Sequence, residues 1–519
     1  YWTFSHYGTT LGSATFRTVL VNSFGYGAAV TVLSTAVGFG LAWLVVCTNT
    51  PGKAFASTAA LVPLIIPGIL NTVAWALLLS PHTGPVNRVL RDTGLPAFNV
   101  YSLAGMVWVQ TIHVVPLAYL MGIAAFRSTD PSFGEAALAA GVPPRRMMRK
   151  ITLRLARPAI LAAALLMFIQ TISAFDVPEL IGVPGRTMVF VSLMYQALEN
   201  FPPDYGTVGV LGMFIVAIAA LALWLSRRVS RGPGTQTVTG KGFRPSVIDL
   251  GRWRWAGLAA AIAFFIVAVA LPLLILIWSS LLPGYEQPSL AALHHIGLSN
   301  FRAIWVNPSL ARAVRNSIVT AVAAALIVTA LTSVVAYITV KTRIFGRGLL
   351  DTLATVPIAV PSIVVGVGTL YWYLVAPLPV HLYGTLWILI AAYVTISLPY
   401  SLRYLTPGMA QISDELEEAA TMSGASWARS FRSVFLPLLM PSLLAAFLYT
   451  MIVSFREISA AVFLVSDGTE VASVSIFQYW SNGAYPTVAA LGVLMVVFLS
   501  VIAALVRLVT RKFGVRSTG

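Results

Sequence analysis

Long runs without charged side chains constrain this chain more than any other feature of its sequence. Ten stretches of at least 18 residues contain no Asp, Glu, Lys or Arg: 18–52, 54–87, 93–126, 158–175, 205–226, 255–285, 316–340, 352–402, 433–455 and 471–506. A helix that crosses a bilayer needs about 20 apolar residues. The stretch 352–402 is long enough for two such helices, separated near 376–381. The pattern therefore predicts an all-α polytopic membrane protein with eleven spans in this chain.

The positive charge of the chain is concentrated on one side of the predicted membrane. When loops are assigned alternately, 25 of the 33 Lys and Arg residues fall on one side, at Lys53, 127–157, 227–254, 341–347, 403–432 and 507–516. Such a bias marks the cytoplasmic face. No basic segment alternates with stacking aromatic residues, which argues against a nucleic-acid partner. The single Cys47 excludes a disulfide framework and a cysteine metal cluster.

An internal duplication organises the sequence. "VPLIIPG" at 62–68 returns as "VPIAVPS" at 356–362, and "NS" at 22–23 returns at 316–317, both 294 residues later. Further along, a second set recurs 283 residues later: Pro116, Glu135, Gly141 and Pro158 match Pro399, Glu418, Gly424 and Pro441. The change of offset falls where the external loop 81–100 is longer than its counterpart at 376–382. One insertion in one loop is what a true duplication predicts.

The duplication predicts two homologous transmembrane domains, at 1–226 and 255–519, joined by a cytoplasmic linker at 227–254. A span at 255–281 precedes the repeated part of the second half, and the first half has no counterpart to it. We therefore expect one more span before Tyr1 in the full-length protein, giving twelve. Six spans in each half would give both halves the same orientation, a parallel repeat about a pseudo-two-fold axis along the membrane normal.

The sequence offers no convincing ATP site of its own. The nearest phosphate-loop pattern, "GTQTVTGKG" at 234–242, has five residues between its first two glycines and Gly242 in place of the magnesium-binding Ser or Thr. It also lies in the linker with no strand before it. We expect no cofactor bound by this chain and no enzymatic activity, so energy would come from coupled ions or from separate ATPase subunits.

The segments "EAALAAGVPPRRMMRK" at 135–150 and "EAATMSGASWARSFRS" at 418–433 carry a specific signal on the cytoplasmic side. Both read Glu-Ala-Ala, three residues, Gly, nine residues and an aliphatic residue. This resembles the EAA loop of membrane subunits of binding-protein-dependent ABC importers, here within 127–157 and 403–437. Arg154 stands where the family pattern has Pro, so the end of the first loop departs from it.

The resemblance implies a role for each matching residue. In that family the loop forms a short coupling helix seated in a groove of the ATPase, and its Gly turns the chain. The resemblance assigns these roles to two sets of residues, one in each half: Glu135, Ala136, Ala137 and Gly141, and Glu418, Ala419, Ala420 and Gly424. The implied partners are two ATPase subunits carrying ATP and Mg²⁺, an extracytoplasmic solute-binding protein and membrane lipid, with the chain in the bacterial inner membrane. The alternative is a pair of amphipathic helices on the membrane surface.

A narrower resemblance concerns the cargo. Fusion of two halves is typical of the ferric-iron type of permease. "FDVPELIGVPGRTMVFVSLMYQAL" at 175–198 and "SFREISAAVFLVSDGTEVASVSIFQYW" at 454–480 look like stretches of that group. Related permeases serve thiamine, polyamines, aminoethylphosphonate and sugar phosphates. The expected substrate is therefore ferric iron, with these solutes as alternatives. An ion-coupled secondary transporter is the alternative of a different class.

Charged residues within the predicted spans are the remaining candidates. Asp176 ends the span 158–176, and Arg456 and Glu457 lie about two-thirds along a span near 438–465. Ionisable residues at membrane depth are expensive and mark functional positions. Arg456 and Glu457 either pair with other helices or line the substrate path, and Asp176 either lines the path or reaches the external interface. The spacing of the histidines predicts no metal site.

Overall fold

The structure is a computed structural model that describes residues 4–128, 140–230, 247–375 and 382–512, apart from 414, 417–421, 425, 427, 428 and 430. Its regular elements in these ranges are helices, with an isolated β-bridge between Thr48 and Ile248. The backbone divides into two compact units, Tyr1–Asn300 and Phe301–Gly519.

Twelve α-helices lie in the described part of the first unit. They are α1 (Ser5–Gly12), α2 (Ala14–Cys47), α3 (Lys53–Leu61), α4 (Gly68–Leu78), α5 (Pro85–Asp92), α6 (Leu103–Arg127), α7 (Pro144–Met147), α8 (Leu153–Ile172), α9 (Phe190–Glu199), α10 (Tyr205–Ser230), α11 (Arg254–Phe265) and α12 (Leu271–Ser280). A π-helical turn at Ile266–Ala270 joins α11 to α12, so the two form one long span.

The second unit repeats the order of the long helices. After α13 (Ser299–Val306), which crosses the division, its described helices are α14 (Pro308–Lys341), α15 (Arg347–Thr355), α16 (Ser362–Val375), α17 (Leu386–Ala410), α18 (Leu436–Arg456), α19 (Ala461–Leu464), α20 (Ala472–Ser481) and α21 (Tyr485–Lys512). In length and position α14, α17 and α18 correspond to α2, α6 and α8 of the first unit.

The number of spans expected from the sequence is confirmed. Within the described residues, nine helices are long and apolar enough to cross a membrane, and two bent helix pairs raise the number to eleven. The bent pairs were expected as ordinary spans. Lys53–Leu64 meets Gly68–Leu78 at 98°, and Arg347–Ala359 meets Ser362–Val375 at 109°.

Both bends fall on the repeated double-proline motifs. Pro67 caps α4 and Pro361 directly precedes α16, each with a second proline four residues earlier. Proline removes a backbone donor and disfavours helical geometry in the residue before it, so two prolines at this spacing break a helix. The duplication therefore preserves a broken span in each half.

Small residues allow the spans of the first unit to approach closely. A Cβ built on Gly38 of α2 would lie 2.5 Å from Ala118 Cβ of α6, and one on Gly122 of α6 would lie 2.7 Å from Ala42 Cβ of α2. Small side chains at helix crossings are the usual device for packing within a bilayer, where dispersion contacts replace the hydrophobic driving force. Gly38 and Gly122 thus set the α2–α6 contact.

The span formed by α11 and α12 belongs to the first compact unit, although the sequence repeat assigns it to the second half. Its Phe265 ring lies 5.6 Å from that of Phe55 in α3, at 61°. After α12, the Tyr285 hydroxyl donates to the carbonyl oxygens of Leu77 and Thr83, at 3.2 Å each. The domain boundaries predicted from the repeat stay a prediction, and the packing divides the chain later, after Asn300.

Candidate functional sites

The two EAA loops are described in part. Glu135, Ala136 and Ala137, together with Glu418, Ala419 and Ala420, lie outside the described residues. The glycine of each motif is described: Gly141 has φ of +69° and Gly424 has φ of +74°. A Cβ added at either position would meet no atom within 4 Å. The need for glycine is therefore a backbone requirement, because residues other than Gly rarely adopt a positive φ.

The chain that follows the first coupling loop packs against the end of the linker between the halves. Met147 of α7 and Ile248 are both buried and form a small apolar cluster, bordered by Trp43, Val142, Ile151 and Leu250. Ile248 also pairs with the end of α2, where its N–H donates to Cys47 O at 2.8 Å and its carbonyl accepts from Asn49 N at 3.1 Å. The linker end thus fixes the base of the first coupling loop.

Asp176 is buried at the bend of the first broken span. Its side chain stands against Gly68, the first residue of α4, and is close enough to the buried Tyr26 to interact electrostatically. A Cβ on Gly68 would collide with Asp176 Oδ2 and lie 3.0 Å from His113 Cε1 of α6. Asp176 is 7% exposed, so its carboxylate is buried within the protein.

The position of the Asp176 carboxylate beside the start of α4 is electrostatically favourable. The N-terminus of α4 presents unpaired N–H groups and the positive end of the helix dipole, both of which favour an anion. His113 comes from α6, so the site joins residues far apart in the sequence. The sequence singled out Asp176 but not His113, and no local signal indicated that they meet. A role for Asp176 in the path stays a prediction.

Arg456 and Glu457 lie at the end of a helix rather than within a span. The sequence placed them inside a span near 438–465, but α18 ends at Arg456, and Glu457 has extended backbone (φ −67°, ψ 125°). Glu457 Oε1 accepts a hydrogen bond from Ala460 N at 3.1 Å, and its carbonyl accepts from Ser473 Oγ at 2.8 Å. The carboxylate therefore holds the chain as it leaves the helix, which explains why the helix stops there.

A group of tyrosines next to Arg456 was missed by the sequence reasoning. Tyr449 of α18 packs against two tyrosines of α17, with ring centroids 5.8 Å from Tyr400 and 5.4 Å from Tyr404. The phenol of Tyr449 interacts electrostatically with the guanidinium groups of Arg403 and Arg456. The four-residue spacing of Tyr400 and Tyr404 within a span could have indicated a shared helix face.

Two carboxylates and a phenol of the first unit interact with one another: Glu179, on the π-helical turn Pro178–Gly182, and Tyr195 and Glu199 of α9. Burial, and then the charge of Glu199, raise the pKa of Glu179 to about 7. Burial, followed by the two carboxylates, raises the pKa of Tyr195 well above its usual value, and Glu199 bonds to its hydroxyl. Glu179 therefore titrates near neutral pH.

The repeated Asn-Ser pair performs the same task in both halves. In the first unit, Asn22 Nδ2 donates to Met188 O at 3.1 Å, and Ser23 Oγ accepts from Phe190 N at 2.9 Å. In the second unit, Asn316 Nδ2 donates to the carbonyls of Gly468 and Glu470, at 3.2 and 3.0 Å, and Ser317 Oγ accepts from Ala472 N at 2.7 Å. The pair anchors the chain at the start of α9 in one half and of α20 in the other.

Repeated broken spans, repeated anchors and repeated left-handed glycines define a two-fold duplicated membrane permease. The family described as "Binding-protein-dependent transport system inner membrane component" matches at residues 34–232 and again at 329–515. The chain belongs to this family, and it carries two copies of the family unit. It is the membrane permease of an ABC importer, in the bacterial inner membrane.

Individual relatives extend the similarity along up to 95% of the chain. The ferric transport system permease protein FbpB of Actinobacillus pleuropneumoniae is 26% identical over 511 residues, which cover 95% of this chain and 71% of the relative. The Fe(3+)-transport system permease protein FbpB 2 of Haemophilus influenzae is 24% identical over 90% of this chain and 85% of the relative. A putative 2-aminoethylphosphonate transport system permease protein, PhnV of Salmonella paratyphi A, is 31% identical over 30% of this chain and 59% of the relative.

Among solved structures, the chain is similar to one from a bacterial ABC transporter involved in the import of the acidic polysaccharide alginate. The TM-score is 0.41 at 17% identity, and the match covers 50% of this chain and 95% of that one.

Proposed function

We propose that this chain forms the translocation path of an ABC importer for ferric iron. In this proposal, an extracytoplasmic solute-binding protein delivers the iron, and two ATPase subunits carrying ATP and Mg²⁺ drive its passage. One observation carries the choice of cargo: the ferric relatives align across both halves, over 95% and 90% of the chain. The aminoethylphosphonate relative aligns over 30%, so it is similar to only a part of the duplicated chain.

Coupling to ATP hydrolysis would pass through the two EAA loops. The left-handed glycines, Gly141 and Gly424, support this part of the proposal because both halves keep the same strained turn after the motif. The packing of Met147 on Ile248 would transmit movement of the first loop to the inner end of α2. The contacts made by Glu135 and Glu418 with an ATPase are part of the proposal.

The test is uptake of labelled ferric iron in a strain lacking this gene, complemented with the wild-type chain. Restoration of uptake is expected, and it should depend on the binding protein and the ATPase. The same cells are given labelled 2-aminoethylphosphonate in parallel. If deletion leaves iron uptake unchanged and abolishes phosphonate uptake, the ferric assignment is wrong and the aminoethylphosphonate alternative takes its place.

A further inference from the structure

The second unit contains a cluster of phenols and guanidinium groups between two of its spans. We define the tyrosine–arginine cluster as Arg403, Tyr400 and Tyr404 of α17 and Tyr449 and Arg456 of α18. The rings of Tyr400 and Tyr404 incline at 41° and 47° to that of Tyr449. The Tyr449 phenol interacts electrostatically with both arginines and with both other phenols. Four polar side chains therefore interact with the Tyr449 phenol.

The cluster lies at membrane depth. Tyr449 is 13 residues after Leu436, the start of α18, which is about 20 Å at 1.5 Å per residue. Arg403 is seven residues before Ala410, the end of α17, or about 10 Å. Both helices are long and apolar enough to span the membrane. The cluster thus begins at Arg403 in the inner third of α17 and reaches Arg456, the last residue of α18.

Part of the cluster is open to the surroundings of the chain. Tyr404 is 42% exposed and Arg403 is exposed, whereas Tyr400, Tyr449 and Arg456 are partly buried. An arginine facing acyl chains is costly, and such residues in membrane proteins usually face the bundle interior or a water-filled cavity. We expect the exposed edge of the cluster to face water rather than lipid.

A polar stripe continues from the cluster along α17. Tyr393, Ser397, Tyr400 and Tyr404 follow at spacings of four, three and four, which place them on one helix face. Among the described residues, no hydrogen-bond partner lies in reach of the hydroxyls of Tyr393 and Ser397, although both are buried. Buried hydroxyls without partners are destabilising.

The first half has no such cluster at the equivalent positions. The offset of 283 residues places these side chains opposite Leu120, Leu117, Met121, Leu166 and Ser173. Both copies fold into the same helices, so the fold does not require the polar set. The cluster is a property of the second half alone.

We propose that the tyrosine–arginine cluster is an oxyanion-binding subsite on the translocation path. Guanidinium groups bind carboxylate and phosphate through paired, charge-assisted hydrogen bonds, and phenol hydroxyls donate further bonds to the same oxygens. The two guanidinium groups outnumber the Glu457 carboxylate, which acts on the Tyr400 phenol, so on balance they would repel a bare trivalent cation. The subsite therefore takes the cargo with its anionic oxygen ligands attached. This deepens the proposed function and rests on it for the metal: the cargo crosses as an anionic ferric chelate.

Direct binding provides the first test, with the permease–ATPase complex held in nanodiscs. The probes are labelled ferric citrate and inorganic phosphate. The double variant R403Q/R456Q should weaken binding of both probes roughly 10–100-fold, because two charge-assisted bonds are lost. R456K keeps the charge but loses the planar fork, so an intermediate loss is expected. Y449F removes one hydroxyl donor and should weaken binding several-fold.

Controls separate a binding role from a structural one. Leu120→Ala with Ser173→Ala changes the equivalent positions of the first half and should leave binding and iron uptake at wild-type levels. Arg456 is the last residue of α18, so the single variant R403Q, at an exposed position, tests the site without disturbing the end of that helix. If R403Q and R403Q/R456Q bind ferric citrate and phosphate as tightly as the wild type, the subsite does not exist.

Failure of the ferric assignment gives a different result. In that case the wild-type complex binds phosphate or 2-aminoethylphosphonate but not ferric citrate, and R403Q/R456Q loses the binding that remains. Such a result would retain the oxyanion subsite and reject iron as the cargo. If the wild-type complex binds ferric citrate and the double variant retains that binding, iron is kept as the cargo and the oxyanion subsite is rejected.

Discussion

The first half of the chain places a carboxylate at the bend of its broken span, whereas the second half places cations and phenols along two continuous spans. In the first half, Asp176 and His113 converge on Gly68. In the second half, the position of Gly68 is occupied by Ser362, and Arg403 and Arg456 interact with Tyr449, while the Glu457 carboxylate acts on Tyr400. The halves therefore differ in their charged side chains, since the second half has arginines at positions where the first has Leu120 and Ser173.

The backbone anchors, in contrast, are the same in both halves. Asn22 and Ser23 hold the backbone before α9 just as Asn316 and Ser317 hold it before α20. Buried backbone groups must find partners whatever the cargo, so the side chains that satisfy them are retained in both copies. The charge pattern has no such constraint. The comparison teaches that the fold was duplicated and the polar interior then diverged.

The largest effect is expected from Gly68→Ala, which tests the carboxylate at the first bend. The new Cβ would collide with Asp176 Oδ2 and push a buried carboxylate from the helix N-terminus, lowering the free energy of unfolding by about 2–4 kcal/mol. Thermal unfolding of the purified protein measures it. Ser362→Ala at the equivalent bend should cost less than 1 kcal/mol. If Gly68→Ala and Ser362→Ala lower the free energy of unfolding equally, the carboxylate does not make the first bend more sensitive than the second.

The shared anchors should differ in strength. Asn316→Ala removes two hydrogen bonds to backbone carbonyls, and Asn22→Ala removes one. We expect losses of about 2 kcal/mol and about 1 kcal/mol, respectively. Unfolding temperatures of both variants, and of the double variant, measure the difference. A larger loss from Asn22→Ala would contradict the ranking drawn from the contacts.

The coupling glycines should behave alike in the two halves. Gly141→Val or Gly424→Val forces a β-branched residue into positive φ, at a cost of roughly 1–2 kcal/mol in the turn. Each variant should reach the membrane but show reduced transport and reduced substrate-stimulated ATP hydrolysis, and the double variant should release the ATPase. Asn at the same positions tolerates left-handed backbone and serves as the control. Normal coupling and normal ATPase recovery in the double valine variant would remove the support for these turns as docking elements.

The smallest effect concerns the pH dependence of the first half. Because the pKa of Glu179 is raised to about 7, the folded protein keeps a proton that the unfolded chain loses above about pH 4.5. The contribution of Glu179 to the free energy of unfolding therefore falls as pH rises from about 4.5 to 7. Glu179→Gln should match the wild type at pH 4.5 and be more stable by about 1 kcal/mol at pH 8, after allowance for partial solvent access.

A matched change sharpens this prediction. Glu199→Gln removes the neighbouring charge, which is the smaller cause of the raised pKa, and should move the wild-type transition to lower pH. Unfolding temperatures measured from pH 4.5 to 8 compare the three proteins. A constant difference between wild type and Glu179→Gln across this range would contradict a pKa near 7.

Much of the architecture was predictable because its signals are local. The lengths of the charge-free runs predicted eleven spans, and two of them are now known to be bent. The repeated prolines were visible, but their effect on the chain was not inferred from the motif. The pair Asn22–Ser23 was noted only as a repeat, since its partners, Met188 and Phe190, lie far along the sequence.

Candidate functional residues could be proposed from the sequence where a motif carried them and not where packing assembled them. The glycines of the EAA motif were identified from spacing, and their positive φ values agree with the turn that the motif requires. Tyr400, Tyr404 and Tyr449 were not singled out, because two helices bring them together. Arg456 was singled out as a charge in a span, without its neighbours.

The sequence by itself determined the number of spans, the duplication and the family of this protein. Each follows from run length, composition or motif spacing, which need no knowledge of what lies nearby in space. Only the tertiary structure decided that α4 begins against Asp176, that Glu457 lies beyond the end of α18, and that the span of α11 and α12 packs in the first compact unit. These arrangements depend on contacts between distant segments, and in a membrane such contacts are selected by close packing and by partners for polar groups.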